Sequence, residues 1–127
     1  MAVRGLTGWI GTALSSPTPE SLARFYADLL GWEISSSAPE WATIQVPGAR
    51  ANLAFALDEA YERPVWPSAP GRQQMMGHLD IGVSDVAAAV HDALELGAEL
   101  AAYQPQDDVR VMLDPDGHPF CLYVDND

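Results

Sequence analysis

The spacing of apolar residues along this chain passes through one series of changes and then repeats it. Residues 9–15 predict a strand. Ser16-Pro17-Thr18-Pro19-Glu20 then opens a helix, with Thr18 as N-cap, Pro19 in the first helical position and Glu20 in the first turn. Leu22, Phe25, Tyr26, Leu29 and Leu30 recur at helical spacing and form one apolar stripe. Gly31 stands where the helix end calls for a left-handed residue. Three strands are predicted next, at residues 32–35, 41–46 and 52–57. Their turns are assigned to residues 35–39 and to Pro47-Gly48.

Residues 58–76 break this rhythm. Pro64, Pro67, Pro70 and Gly71 exclude a long helix or strand, so the segment reads as a surface linker, with Tyr61 and Trp66 pinning it. The pattern then restarts. A strand over residues 78–83 alternates Leu79, Ile81 and Val83 with His78, Asp80 and Gly82. Ser84 or Asp85 caps a helix carrying Val86, Ala89, Val90, Ala93 and Leu94, and Gly97 ends it as Gly31 ended the first. Strands are predicted at residues 98–103, 109–113 and 119–124. Asp114-Pro115-Asp116-Gly117 makes a tight turn before the last of them. Aligning Gly31 with Gly97 brings both halves into register, an internal repeat.

The chain is therefore expected to be one α+β domain of two tandem βαβββ units. Unit one is assigned to residues 8–57, the linker to 58–76 and unit two to 77–125. Each helix covers one sheet face, while the other face, mixed in character, curves into a half-open barrel with its cleft between the copies.

Composition narrows the partners. A chain of 127 residues can bury a core without disulfides. A net charge of −12 with only six Lys plus Arg gives no basic stripe for nucleic acid or anionic lipid. No apolar run is long enough to span a membrane. The stretch after Arg4 superficially resembles an export leader, but Thr7, Gly8, Gly11 and Thr12 interrupt it. The single cysteine, Cys121, allows no internal disulfide and fits a reducing, cytoplasmic setting.

Leu22-Ala23-Arg24-Phe25-Tyr26 leading to Leu29-Leu30-Gly31-Trp32, with His78-Leu79-Asp80-Ile81, Leu96-Gly97-Ala98 and Asp114-Pro115-Asp116-Gly117-His118-Pro119-Phe120, resembles the vicinal oxygen chelate superfamily. Glyoxalase I, bleomycin-resistance proteins and extradiol dioxygenases belong to it. The resemblance implies a metal held by His or Gln from a first strand and Glu from a last strand of each unit, a small organic ligand, and a homodimer. Carried over position by position, His78 fits the second unit's first strand. Gly11 (or Trp9, with a slip of two) and Ala56 stand at the first unit's positions, and Cys121 stands where Glu is expected. At most two of the four positions can coordinate, His78 and Cys121 as thiolate, so the site is degenerate. No cofactor is expected, with a divalent metal as the open alternative.

His78 is expected to face the cavity with Asp80 on the same strand face, where the carboxylate orients the imidazole for general-base work. Cys121 reads mainly as an inert small hydrophobe. Trp41, Asn52, Ala56, Trp66, Cys121 and Tyr123 are the ligand-lining candidates. Trp41 and Trp66 have an equally good reading as packing residues, and Trp32 reads as packed under the first helix. Arg72 and Arg110 are cations available to an anionic ligand. His118 falls in the turn and His91 on the second helix beside Asp92. The function expected is small-molecule binding, for sequestration, resistance or metal-free chemistry. The alternative is a metal-dependent lyase, isomerase or dioxygenase acting on vicinal oxygens.

Overall fold

The structure, a computed structural model, describes residues 2–125. It divides into two compact units, one running to Tyr61 and the other starting at Glu62. Two helices and eight strands in two four-stranded mixed sheets make an α+β fold.

The first unit comprises β1 (Ile10–Ser16), α1 (Pro19–Leu30), β2 (Ile34–Ala38), β3 (Trp41–Gln45) and β4 (Ala51–Leu57). The strand order is β1-β4-β3-β2, with β1 parallel to β4 and the other pairs antiparallel. α1 lays its stripe on one sheet face, where the Tyr26 ring stacks on Phe55 at 5.6 Å between centroids. Leu22, Ala23, Phe25, Tyr26, Ala42, Ile44 and Phe55 are buried there, while Leu29 and Leu30 are only half-buried.

Local chemistry departs from the sequence reading at two places. Thr18 occupies the N-cap position, but its side chain makes no capping bond. Its own N–H instead donates to the Ser16 hydroxyl at 2.9 Å. The serine-rich stretch read as a turn is mostly strand. The Ser35 and Ser36 hydroxyls each bond Thr43 Oγ1 at 2.7 Å, and the Ser37 hydroxyl donates to the Glu20 carboxylate. With their side-chain hydroxyls satisfied by Thr43 on β3 and by Glu20 on α1, these serines no longer compete for the backbone. Gly31 behaves as expected, at φ 70° with its N–H on the Ala27 carbonyl.

The second unit repeats the order with β5 (Leu79–Val83), α2 (Val86–Glu95), β6 (Glu99–Leu100), β7 (Val109–Leu113) and β8 (Pro119–Val124), arranged β5-β8-β7-β6. Asp85, rather than Ser84, caps α2 by accepting the Ala88 N–H at 3.1 Å. Of the predicted α2 stripe only Ala93 is buried, and Leu94 is exposed. β6 is two residues long where six were predicted. The Gln104 side chain takes over its edge, donating to the Ala101 and Val111 carbonyls and accepting the Val111 N–H, all at 2.8–2.9 Å. A side-chain amide thus replaces backbone along the edge of β7.

Two loops complete this unit. The Asp114 carboxylate is buried and accepts the N–H groups of Asp116 and His118, each at 2.9 Å. It also bonds His118 Nδ1 at 2.8 Å, which locks the turn that feeds β8. The linker has no helix or strand, as expected, and is tied down. The Trp66 indole donates to the Tyr103 carbonyl at 3.0 Å, and Arg63 reaches the Pro115 carbonyl. No helix among the described residues is long and apolar enough to cross a membrane.

Candidate functional site

Strand alternation and register sort the second sheet into two faces. Leu79, Ile81, Phe120, Leu122, Met112 and Arg110 fall on one, because Leu79 pairs with Phe120, Ile81 with Leu122 and Met112 with Phe120. α2 lies on this side, where Val86 and Val90 share a hollow with Leu100, Arg110 and Val124. Asp80, Cys121 and Tyr123 fall on the opposite face, with Val109 and Val111 beside them. Arg110, read from sequence as a cation for an anionic ligand, therefore belongs to the α2 face. Its guanidinium donates to the Val109 and Gln106 carbonyls.

On the open face Asp80 and Cys121 are direct neighbours across the parallel β5–β8 pair. His78, just before β5, places Nε2 3.0 Å from Asp80 Oδ1. One ligand atom from each of His78, Asp80 and Cys121 falls in a group spanning no more than 4.8 Å. Around them lies an open hollow of about 340 Å³ lined by His78, Asp80, Gln106, Val109, Cys121 and Tyr123.

Burial pushes the Cys121 thiol above its ordinary value of 9.0, and the Asp80 charge and the hydrogen bond to Asp80 raise it further. The sulfur is thus held as a neutral thiol, a poor nucleophile at neutral pH. Alkylation of Cys121 in chelator-containing buffer is expected to be slow at pH 8 and to accelerate only above the ordinary thiol range. Asp80→Asn removes two of the three causes, so its rate–pH profile should move to lower pH. Identical profiles for the two proteins would show that Asp80 does not act on the sulfur.

The sequence candidates divide between the units. His78, Asp80, Cys121 and Tyr123 come together in the hollow. Trp41 and Ala56 face each other across β3 and β4 on the side of the first sheet away from α1, and Asn52 lies beside Gln45 and Gly11 on that same side. A Cβ at Gly11 would meet Asn52 Oδ1 at 2.5 Å and the Trp9 ring at 2.7 Å, so neighbouring side chains already fill that position. Trp66 sits on Tyr103 in the linker and is not among the residues lining the hollow. Sequence reasoning missed Gln106 and Val109. The alternation of β7 was a signal for Val109, whereas nothing local marked Gln106.

A family model described as a glyoxalase-like domain matches residues 11–123. The chain belongs to this family. Similar solved structures include a glyoxalase-related enzyme from Fulvimarina pelagi, with TM-score 0.66, 23% identity, and coverage of 94% of this chain and 89% of that one. A glyoxalase/bleomycin resistance protein/dioxygenase family enzyme from Burkholderia phytofirmans PsJN aligns with TM-score 0.64 and 20% identity over 88% of this chain and 94% of that one. A protein from Agrobacterium tumefaciens aligns with TM-score 0.69 and 21% identity over 94% and 98%. No curated protein matches the sequence. These likenesses show the glyoxalase-like fold, consistent with the vicinal oxygen chelate resemblance, which implies a metal. Gly11 and Ala56 bring no donor to such a metal. His78, Asp80 and Cys121 bring an imidazole, a carboxylate and a sulfur, a donor set that a borderline-soft ion accepts.

Proposed function

We propose that this glyoxalase-like chain binds a small organic molecule in the hollow on the open face of the second sheet. The observation that carries the reading is the convergence of His78, Asp80 and Cys121 on one hollow walled by Val109 and Tyr123. Apolar and aromatic walls with a few convergent polar groups are the usual makeup of a ligand site. With the His78 Nε2–H given to Asp80, the other ring nitrogen is left as an acceptor for a ligand hydroxyl or an acidic C–H. Such a protein would act by sequestration, or by proton transfer on the bound molecule.

Thermal-shift screening against an aromatic and glycopeptide library, followed by Cys121 protection from alkylation, tests this. A true ligand raises Tm, slows alkylation and loses affinity in Tyr123→Ala. A broad library giving neither shift nor protection would sink the reading. A second reading, a metal-dependent lyase, isomerase or dioxygenase on a substrate with vicinal oxygens, is favoured by Asp80 as a third donor beside His78 and Cys121.

The chain is further proposed to work as a cytoplasmic homodimer. The single cysteine supports the compartment, and the family supports the pairing. Light scattering that returned the monomer mass at micromolar concentration would refute the dimer.

A further inference from the structure

Metal sites in this superfamily are implied to draw on both units, yet the donors here are gathered on one sheet. We propose that the second unit alone holds a thiophilic divalent ion, zinc in the first instance, through the His78 imidazole, the Asp80 carboxylate and Cys121 Sγ, with a fourth position open to the hollow. This rests on reading that hollow as the functional site only in giving the open position a use.

Three observations carry the inference. The first is proximity, since the three ligand atoms already lie within 4.8 Å of one another. Zinc bonds of about 2.0–2.3 Å in a tetrahedral arrangement set ligand atoms roughly 3.3–3.7 Å apart. The His78–Asp80 separation of 3.0 Å falls slightly below this range and no pair exceeds 4.8 Å, so closure needs side-chain shifts of only about an ångström. The second is framework. Asp80 and Cys121 are neighbours in the β5–β8 ladder, and hydrogen-bonded backbone fixes their spacing whether or not an ion is present. The third is chemistry. A nitrogen, an oxygen and a sulfur favour zinc over magnesium and calcium, which take oxygen shells, and over manganese, which binds such sites more weakly and has little affinity for thiolate.

Other clusters do not compete. His91, Asp92 and Glu95 are exposed on α2, and the His118–Asp114 pair is consumed by its turn. Binding balances simply. Cys121 gives its thiol proton to solvent, while the imidazole keeps one hydrogen, on the ring nitrogen that does not bind. Two of the three donors stand at positions the sequence singled out, and the third, Asp80, was read only as a partner for the imidazole.

The test is titration of the chelator-stripped full chain with Co²⁺, followed by Zn²⁺ competition, and by Mg²⁺ and Mn²⁺ as controls. One equivalent of Co²⁺ should produce a sulfur-to-cobalt charge-transfer band in the near ultraviolet, abolished by Zn²⁺ and untouched by Mg²⁺ or Mn²⁺. Cys121→Ser should remove the band, and His78→Ala and Asp80→Asn should each weaken binding about tenfold to a hundredfold. His91→Ala should change nothing. No band, a band that survives in Cys121→Ser, or binding lost in His91→Ala would overturn the proposal. His78 is part-exposed, so His78→Ala provides the decisive variant if Cys121→Ser fails to fold.

Running the ligand screen with and without chelator separates the two readings. Ligand shifts that persist in chelator, with cobalt silent, refute only the metal site. A cobalt band with no ligand shift refutes only the small-molecule reading.

Discussion

Asp114→Ala is expected to destabilise the chain by about 3 kcal/mol in urea denaturation, and to make Cys121 easier to alkylate at the same pH. The carboxylate is 1% exposed and accepts two backbone N–H groups and the His118 imidazole. Alanine offers none of these acceptors. Each buried donor left without a partner costs about 1–3 kcal/mol, and charged acceptors sit at the high end of the hydrogen-bond range. Asp114→Asn keeps one oxygen for the two N–H groups and gives up the carboxylate's hydrogen bond to His118, so roughly half the loss is expected. The effect on the thiol follows from chain order. This turn delivers β8, and Cys121 lies three residues after His118. A loss below about 1 kcal/mol in Asp114→Ala would mean that water replaces the carboxylate and that the turn does not depend on it.

Phe55→Ala is expected to cost about 3–5 kcal/mol, the range for deleting a buried aromatic ring. Phe55 has no exposed surface and stacks on Tyr26, a fully buried residue of α1. Removing the ring leaves a cavity between helix and sheet and takes away the stacking partner of Tyr26, which carries an edge contact from Phe25 at 4.9 Å. Phe55→Leu keeps most of the volume and should cost about 1–1.5 kcal/mol. Equal losses for the two variants would show that ring stacking, rather than filled volume, holds α1 in place.

Much of the fold could be read from residue spacing. Both helices, the repeat, and strands such as β7 and β8 lie where periodicity and turn residues put them, because those signals are local. Misreadings arose where a distant group satisfied a polar side chain. Ser35–Ser37 look like a turn until Thr43 and Glu20 are supplied, and β6 looks long until Gln104 is seen taking its place. Thr18 is an N-cap by type, yet Ser16 takes its N–H instead.

The sequence by itself determined that the chain has two βαβββ units and that it belongs among glyoxalase-like proteins. It also determined that its first unit lacks chelating side chains at Gly11 and Ala56. Only tertiary structure decided what the second unit makes of its own residues. Parallel pairing of β5 with β8 is a long-range contact, and no local pattern records which residue will stand beside which. That pairing sets Asp80 against Cys121, raises the thiol and turns a partner for His78 into a third donor atom. The antiparallel pairing of β7 with β8 sends Arg110 to the helix face and sets Val109 beside Tyr123 in the hollow, which Gln106 also lines. Side-chain type is a property of the sequence, but the distance between donor atoms is a property of sheet register.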